Sequence, residues 1–351
     1  MNMDKFLKHD YFRNINLNDR FFDSLKNDYK EFEDWFNSKK ENKAYYFETE
    51  EGIQAFLYLK IEEEELSLFS PPLPRKKRIK IGTLKINPHG TKLGERFIKK
   101  TIDYAVANSI DELYVTVFPK HKVLVDLLEK YGFKTRANNH RDNGTEQVMI
   151  KDLYNPQGGL LERYPLVKTN NQSSWLLSIY PRYHTLLFPD SILNNESYNL
   201  IDDVSHTNSI EKIYICYMKG ALKMRIGDAI VIYRTKDEKG PAEYRSVATS
   251  VCILQERKTK KDFVDFDDYY QYCKRNTVFT DEELHNLYKK ENFIVLKMTY
   301  NLAMTKKLIR KSLIEDCGLE RNIRWGLLPL SQFQFNKIMK LGGINESLII
   351  D

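Results

Sequence analysis

The sequence predicts a mixed α/β protein of two domains, and three observations carry that expectation. The chain has 351 residues, beyond the ~250–300 at which a single hydrophobic core stops growing. Its first half alternates strand and helix patterns around one glycine-bearing loop. Its second half reads as many short strands with helices hung beside them. The expected division is a first domain over 1–152, a linker over 153–172 and a second domain over 173–351.

The stretch 79–107 organises the first half. Ile79, Ile81, Leu84 and Ile86 alternate with polar residues near a period of two, as in a strand. Pro88 has no N–H to donate and ends the ladder. A loop of His89, Gly90, Thr91, Lys92, Leu93 and Gly94 follows. Phe97, Ile98, Ile102, Ala105 and Val106 then recur at helical spacing, so a helix starts at about Gly94. Strand, glycine loop and helix together make a device for holding phosphate. The first N–H groups of a helix lack internal partners, and its dipole favours an anion there. Gly90 and Gly94 let the backbone approach a ligand, and Lys92 adds positive charge.

The other elements follow in order. Residues 1–40 read as helical, with Phe21, Phe22, Leu25, Tyr29, Phe32, Trp35 and Phe36 at three- and four-residue spacing. A hairpin joins 43–47 to 53–61. Four acids occupy 62–65, and 66–78, with three prolines and a basic run, reads as a loop. After the central helix come a strand over 112–118 and a helix with Val123, Leu124, Leu127, Leu128 and Tyr131 on one face. A hairpin around 138–144 closes the domain, its Asn-Gly ending being a turn signal. In the second half a strand over 175–179 runs into a Pro-started helix. Strands are expected over 213–218, 229–234, 244–254 and 293–300. Helices are expected over 262–275 and 281–290, each with an acidic cap, and over 331–339. No repeat relates the two halves.

Composition narrows the function. Hydrophobic residues make up 42% of the chain, enough for real cores, yet no apolar run reaches the ~18 residues of a membrane span. The N-terminus lacks the apolar centre of a signal peptide. Cys216, Cys252, Cys273 and Cys317 are isolated, without the paired spacing of a metal site, and fit a reducing cytoplasm. Net charge is +6, split as +2 over 1–150 and +4 over the rest. That mild excess allows a local nucleic-acid-binding patch.

Element order and the Tyr131-Gly132-Phe133 that follows the second helix resemble the acetyl-CoA-binding half of a GNAT-type N-acetyltransferase, over roughly 1–150. The family loop, Arg/Gln-x-x-Gly-x-Gly/Ala, would begin at His89 and place its small residues at Lys92 and Gly94. The resemblance implies acetyl-CoA as cofactor, held by Leu84 and Ile86 of the central strand, by His89, Gly90, Thr91, Lys92, Leu93 and Gly94, and by Lys120. It implies that the N-terminal helices roof the acceptor site. Leu128 stands where the family's acid Tyr is expected, which makes Tyr131, one helical turn on, the candidate acid. His121 maps near a family Asn, as a ligand of the cofactor arm or a proton shuttle. Glu62 is the candidate base.

In the second half, Ser178-Ile179-Tyr180-Pro181-Arg182-Tyr183, then GDAIVIYRT and YRSVATSVCILQE, resemble the PUA-like barrels of the ASCH/EVE group over about 173–300. These imply a small β-barrel that binds RNA or reads modified bases. The Gly-x-Lys-x-x-Glu pattern of the amidohydrolase members is missing, so binding is expected rather than hydrolysis. Tyr180, Arg182, Tyr183, Arg234, Arg245 and Trp325 are the residues expected to face RNA. The combined expectation is a cytoplasmic N-acetyltransferase acting on an amine, with an RNA-borne amine such as one of tRNA or aminoacyl-tRNA as candidate acceptor. Two alternatives stand beside it: a non-catalytic regulator that senses acyl-CoA and binds nucleic acid, and an acetyltransferase for protein or small amines with the barrel as adaptor.

Overall fold

The computed structural model describes residues 7–87, 92–191 and 209–350. The chain divides into two compact units, Met1–Arg163 and Tyr164–Asp351.

The first unit is built on one eight-stranded sheet. Its strands are β1 (Lys8–Tyr11), β2 (Lys43–Thr49), β3 (Gly52–Leu66), β4 (Phe69–Ser70), β5 (Leu73–Ile86), β6 (Glu112–Val117), β7 (Lys134–Arg141) and β8 (Gly144–Asp152). They lie in the order β1-β2-β3-β5-β6-β8-β7-β4. Every pairing is antiparallel except β5 with β6. Four α-helices join them: α1 (Asp23–Asp28), α2 (Phe32–Ser38), α3 (Leu93–Ala107) and α4 (Lys122–Lys130). Phe97, Ile98, Ile102 and Ala105 of α3 are fully buried, so the apolar spacing read from the sequence is the face that meets the sheet.

The N-terminal region departs from the continuous helical reading. Residues 8–11 pair with β2 as an edge strand. Beyond them the chain makes 3₁₀ turns at Phe12–Asn14 and Arg20–Phe22 before α1 and α2. Asn14, Asn16, Asn18 and Asp19 compete for backbone donors and favour turns and caps; the Asp19 carboxylate accepts from the Phe21 N–H. The aromatic spacing comes instead from a buried cluster. Phe12 meets Phe36, Phe56 and Tyr58 edge to face.

Residues 62–65 and 66–78 are not a solvated loop. They extend β3 and β5 into a long hairpin, with Glu62 opposite Arg78, Glu63 opposite Lys77 and Glu64 opposite Lys76. Opposite charges facing each other across antiparallel strands favour pairing, so two runs that look like coil separately become a ladder together. Arg78 is buried and reaches Glu112 of β6 as well.

The same hairpin contains the bulge that shapes the unit. Tyr58 faces Thr83 and Leu59 faces Ile81, which leaves Gly82 as an extra residue on β5. A Cβ at Gly82 would lie 2.7 Å from the Tyr58 ring, so the ring fills the space that a side chain would need. Parallel pairing with β6 covers only Ile79–Leu113, Lys80–Tyr114 and Ile81–Val115, and stops at the bulge.

The second unit holds a six-stranded sheet of β10 (Ser174–Ile179), β11 (Glu211–Cys216), β12 (Ala229–Arg234), β13 (Val247–Thr259), β14 (Ile294–Ile309) and β15 (Leu327–Leu330). The order is β11-β14-β13-β12-β10-β15, with β10 and β12 parallel. Two short strands, β9 (Val167–Lys168) and β16 (Ile349–Ile350), pair separately, so the end of the expected linker belongs to this unit. The sheet is open, not the expected barrel. No pairing joins β11 to β15 among the described residues, and β15 is a four-residue edge strand in which Pro329 lacks a donor. The helices are α5 (Pro181–Leu187), α6 (Ala242–Arg245), α7 (Phe266–Lys274), α8 (Asp281–Tyr288), α9 (Arg310–Glu315) and α10 (Gln332–Leu341). Thr280 caps α8 in a reciprocal box with Glu283, where an acidic cap was expected. All four cysteines are buried free thiols. Burial pushes Cys216 and Cys317 up to about 11, which suits packing rather than nucleophilic roles.

Two predictions follow from this packing. Gly82→Ala should destabilise the full chain by ~1–3 kcal/mol in denaturant unfolding, as overpacking does, and the cost should fall when Tyr58 is shortened to Leu in the same chain. Lys151 on β8 is fully buried, and its ammonium donates to the Glu162 carbonyl oxygen at 2.8 Å. Burial, against the pull of Glu162 and Asp152, pushes its pKa down from 10.5 to about 7. Between those values the unfolded chain binds a proton that the folded chain does not. Unfolding free energy should therefore rise with pH across this window by up to about 1.4 kcal/mol per pH unit. Lys151→Met should remove that slope in unfolding curves taken from pH 7 to pH 10.5.

Candidate functional site

Past Gly82, β5 keeps β3 on one side and has no strand on the other among the described residues. Leu84 and Ile86, both half-buried, lie on this freed segment opposite Leu57 and Ala55. The start of α3 closes the opening. Among the described residues the Arg96 N–H donates to the Lys92 carbonyl, and the N–H groups of Leu93 and Gly94 lie in the first turn, where a helix has no carbonyl of its own to offer. A Cβ at Gly94 would come within 2.7 Å of Leu127 on α4 and 3.6 Å of Ile86. Gly94 thus lets α3, α4 and β5 meet at one point. Lys92 ion-pairs with the buried Glu95 at 3.2 Å. His89, Gly90 and Thr91 lie outside the described residues.

Asp28, at the end of α1, gathers the other wall. Its Oδ1 accepts from Lys120 Nζ at 2.5 Å, its Oδ2 lies 3.3 Å from His121 Nε2, and its backbone oxygen accepts from the Asn143 side chain. Lys85, between Leu84 and Ile86, donates to the Phe21 carbonyl oxygen and to Ser24 Oγ, and so ties the freed segment to the turn before α1. Burial lowers the Lys85 pKa against the opposing pull of Asp23, Asp28 and Asp19. Lys120 and His121, singled out from sequence, therefore share one carboxylate at the end of α1. Sequence reasoning missed Asp28, because nothing local marks an aspartate that works across 92 residues of chain.

Glu146 is a second missed residue. Nearly fully buried, it accepts from Tyr29 Oη at 2.7 Å, Asn139 at 2.8 Å and Arg141 Nε at 2.9 Å. Tyr29 also packs on Phe118. The signal was readable: Glu146 stands two residues before Val148, at the parity of a core-facing strand position.

Two predicted residues fall elsewhere. Glu62 lies five residues along β3 from Leu57, ~16 Å at the rise of a strand, on the far side of the bulge from Leu84. Its carboxylate accepts from Lys60 at 2.8 Å and from Tyr114 Oη, with Lys80 at 3.8 Å. Burial alone would raise its pKa, but those partners outweigh it and the net shift is downward. Tyr131 caps α4 with no exposed surface, and Leu128 is equally buried. Glu62 thus lies away from the opening between β5 and β6, and Tyr131 is enclosed at the end of α4.

In the second unit all six predicted residues gather at one end of the sheet, where β10 and β12 finish side by side and β13 begins. Their availability differs. Tyr180 is 64% exposed. Arg182 is held by Glu283 at 3.0 Å, and Tyr183 Oη donates to the same carboxylate at 2.8 Å. Arg245 forms a two-pronged pair with Asp237, with Nε at 2.8 Å. Arg234 is buried. Trp325 is largely buried, bonded to the Glu320 carbonyl oxygen at 2.9 Å, with Tyr233 beside it and the Arg310 guanidinium over its ring at 4.3 Å. Tyr244, 55% exposed, and Lys311 join the same end and were not singled out. His184 is fully buried, with Nε2 on Thr249 Oγ1 at 2.9 Å; burial, then Arg234 and Lys307, push its pKa down to about 3.

Among the described residues no cluster of three or more His, Cys, Asp or Glu side chains is placed to hold a metal ion, and no helix is long and apolar enough to cross a membrane. No family model matches the chain, and no curated protein matches it. Solved structures do. The ASCH protein from Zymomonas mobilis matches with 9% identity and a TM-score of 0.33, over 48% of this chain and 94% of its own. A putative phosphinothricin N-acetyltransferase matches with 14% identity and a TM-score of 0.30, over 41% and 96%. A GNAT-family acetyltransferase from Streptococcus pneumoniae matches with 16% identity and a TM-score of 0.25, over 35% and 75%. At these values the functional reading rests on the geometry of the site, and parts of this chain are similar to solved ASCH and GNAT structures.

Proposed function

We propose that the first unit is an acyl-CoA-dependent N-acyltransferase and that the second binds RNA. The observation that carries the first claim is the opening between β5 and β6 past Gly82, beside the Leu93 and Gly94 amides in the first turn of α3. An extended amide-bearing arm fits a strand edge left unpaired, and phosphate fits the N-terminus of a fifteen-residue helix. Acetyl-CoA, when bound, supplies the acyl group as a thioester. Leu93 and Gly94 amides would hold its anionic part, and N–H groups of Leu84 to Ile86 would polarise the carbonyl. His121 would take the proton that an ammonium must lose, its ring oriented by Asp28. Tyr131 and Glu62 take no part in this reading.

The rival is a regulator that binds acyl-CoA without turnover. The burial of Tyr131 and the remoteness of Glu62 favour it, since the predicted acid is enclosed and the predicted base lies away from the opening. Incubation with labelled acetyl-CoA, total RNA and cell lysate separates the two: label on an acceptor supports transfer, and binding without transfer supports the regulator.

Gly94→Asp and Gly94→Asn meet Leu127 alike and differ in charge. If the α3 amides hold phosphate, calorimetry should show acetyl-CoA binding the Asp variant at least about tenfold more weakly than the Asn variant, the scale of one lost charge-assisted contact. Equal affinities would remove the phosphate claim. With an acceptor in hand, His121→Gln should lower kcat by ~10²-fold with acetyl-CoA affinity kept, as for loss of a general base.

For the second unit, RNA binding by the full chain should fall steeply with salt, because neutralised phosphates release counterions. Tyr180→Ala should cost ~1–3 kcal/mol if a base stacks there. Arg182→Ala should change little, because Glu283 already holds that guanidinium. Absence of binding at low salt would return this end of the sheet to a structural role.

A further inference from the structure

A second cavity opens in the first unit, away from the opening between β5 and β6. Its volume is about 250 Å³, and His9, Lys43, Tyr45, Tyr58 and Tyr104 line it. These side chains come from β1, β2, β3 and α3. Tyr104 lies eleven residues beyond Leu93, ~16 Å along the helix axis, so the cavity is separated from the amides at the start of α3.

Its walls have a definite chemistry. The His9 and Tyr45 rings stack at 4.1 Å with a 12° interplanar angle, and Lys100 Nζ lies 5.0 Å from the Tyr45 ring centre. Lys43 Nζ sits over the Tyr11 ring at 4.7 Å. Among the described residues, no carboxylate is within ion-pair distance of Lys43 or Lys100, and the Tyr45, Tyr58 and Tyr104 hydroxyls make no hydrogen bond. The nearby acid, Asp10, is occupied by the Asn14 side chain at 2.8 Å and the Tyr11 N–H at 2.7 Å.

Two ammonium groups, Lys43 in the lining and Lys100 beside the Tyr45 ring, stand against one nearby carboxylate, Asp10, and that balance favours an anion. Three phenol O–H groups lining one small space are donors to an acceptor with several oxygens. A stacked aromatic pair beside them offers a flat platform. The volume admits a single nucleotide-sized molecule and excludes a polymer interior. We propose that this cavity binds a phosphate monoester carried on a flat heteroaromatic group, either as a free mononucleotide or as the 5′-monophosphate end of an RNA strand. Lys43 and Lys100 neutralise the phosphate, the three tyrosine hydroxyls donate to its oxygens, and the His9–Tyr45 pair supports the ring. The His9 environment agrees in sign: its pKa is lowered by burial first and then by Lys43 and Lys100, with Asp10 opposing.

The test uses the full chain and calorimetry with adenosine 5′-monophosphate, adenosine, inorganic phosphate, and a short RNA with and without a 5′-phosphate. The monophosphate should bind one equivalent, more tightly than adenosine or phosphate alone. Lys100→Glu and Lys43→Glu should each weaken it at least about tenfold, as loss and reversal of a charge-assisted contact do, while acetyl-CoA affinity stays unchanged. Tyr104→Phe, which keeps the ring, should weaken it less. The His9 imidazole resonances should titrate at higher pH with ligand bound, because a dianion offsets Lys43 and Lys100. Matching affinity for the 5′-phosphorylated RNA identifies a strand end as the source; binding of the mononucleotide alone identifies the free form. No binding of mononucleotide or phosphorylated RNA at millimolar concentration, wild-type affinity in both Lys variants, or displacement of the mononucleotide by acetyl-CoA would each overturn the proposal. Because Gly94 variants probe the other opening, failure of either site leaves the other standing.

Discussion

The contact between the Tyr58 ring and Gly82 sets the shape of the first unit. A side chain at 82 would collide with the ring, so the extra residue on β5 must be glycine, and the extra residue bends the strand. The bend ends parallel pairing with β6 after three residues. It leaves one side of Gly82–Ile86 unpaired and aims that segment at the start of α3. Tyr58 is also part of the aromatic cluster built by Phe12, Phe22, Phe36 and Phe56, so the core that carries the N-terminal helices is the core that holds the bulge. The opening and the packing of the N-terminal helices are therefore two results of one core.

Much of this was legible in the sequence. Period-two alternation over 79–86 and three-four spacing over 97–106 report burial on one face, and burial is what β5 and α3 have in common with their sequence patterns. What failed was anything decided across the chain. The acids of 62–65 and the bases of 75–78 look like coil until they are set opposite one another, because pairing energy belongs to the pair and not to either run. The edge strand at 8–11 has no pattern strong enough to announce itself without β2. Barrel closure in the second unit is likewise a property of two edges, and the four-residue β15 with its Pro329 does not provide one.

The site divides the same way. Lys120 and His121 were visible as basic residues at the head of a helix, yet their common partner Asp28 comes from 92 residues earlier. Tyr131 and Glu62 were chosen by pattern and position; the fold buries Tyr131 at the end of α4 and makes Glu62 the hub of a small network with Lys60, Lys80 and Tyr114. In the second unit the aromatic and basic residues do converge, but Glu283 and Asp237 had already claimed two of the guanidiniums. A basic residue in sequence is a charge; whether it is an available charge depends on neighbours that only the fold supplies.

The bulge has one more consequence. The opening beside β5 is made by backbone: an extra residue, a strand that parts from its neighbour, and a helix that begins close by. These features depend on the missing side chains at Gly82 and Gly94 more than on the side chains that are present. A change of side chain at Lys92 would leave the bulge and both glycine contacts untouched. The existence of the opening is thus set by two glycine positions, and the chemistry of its lining can change separately from them.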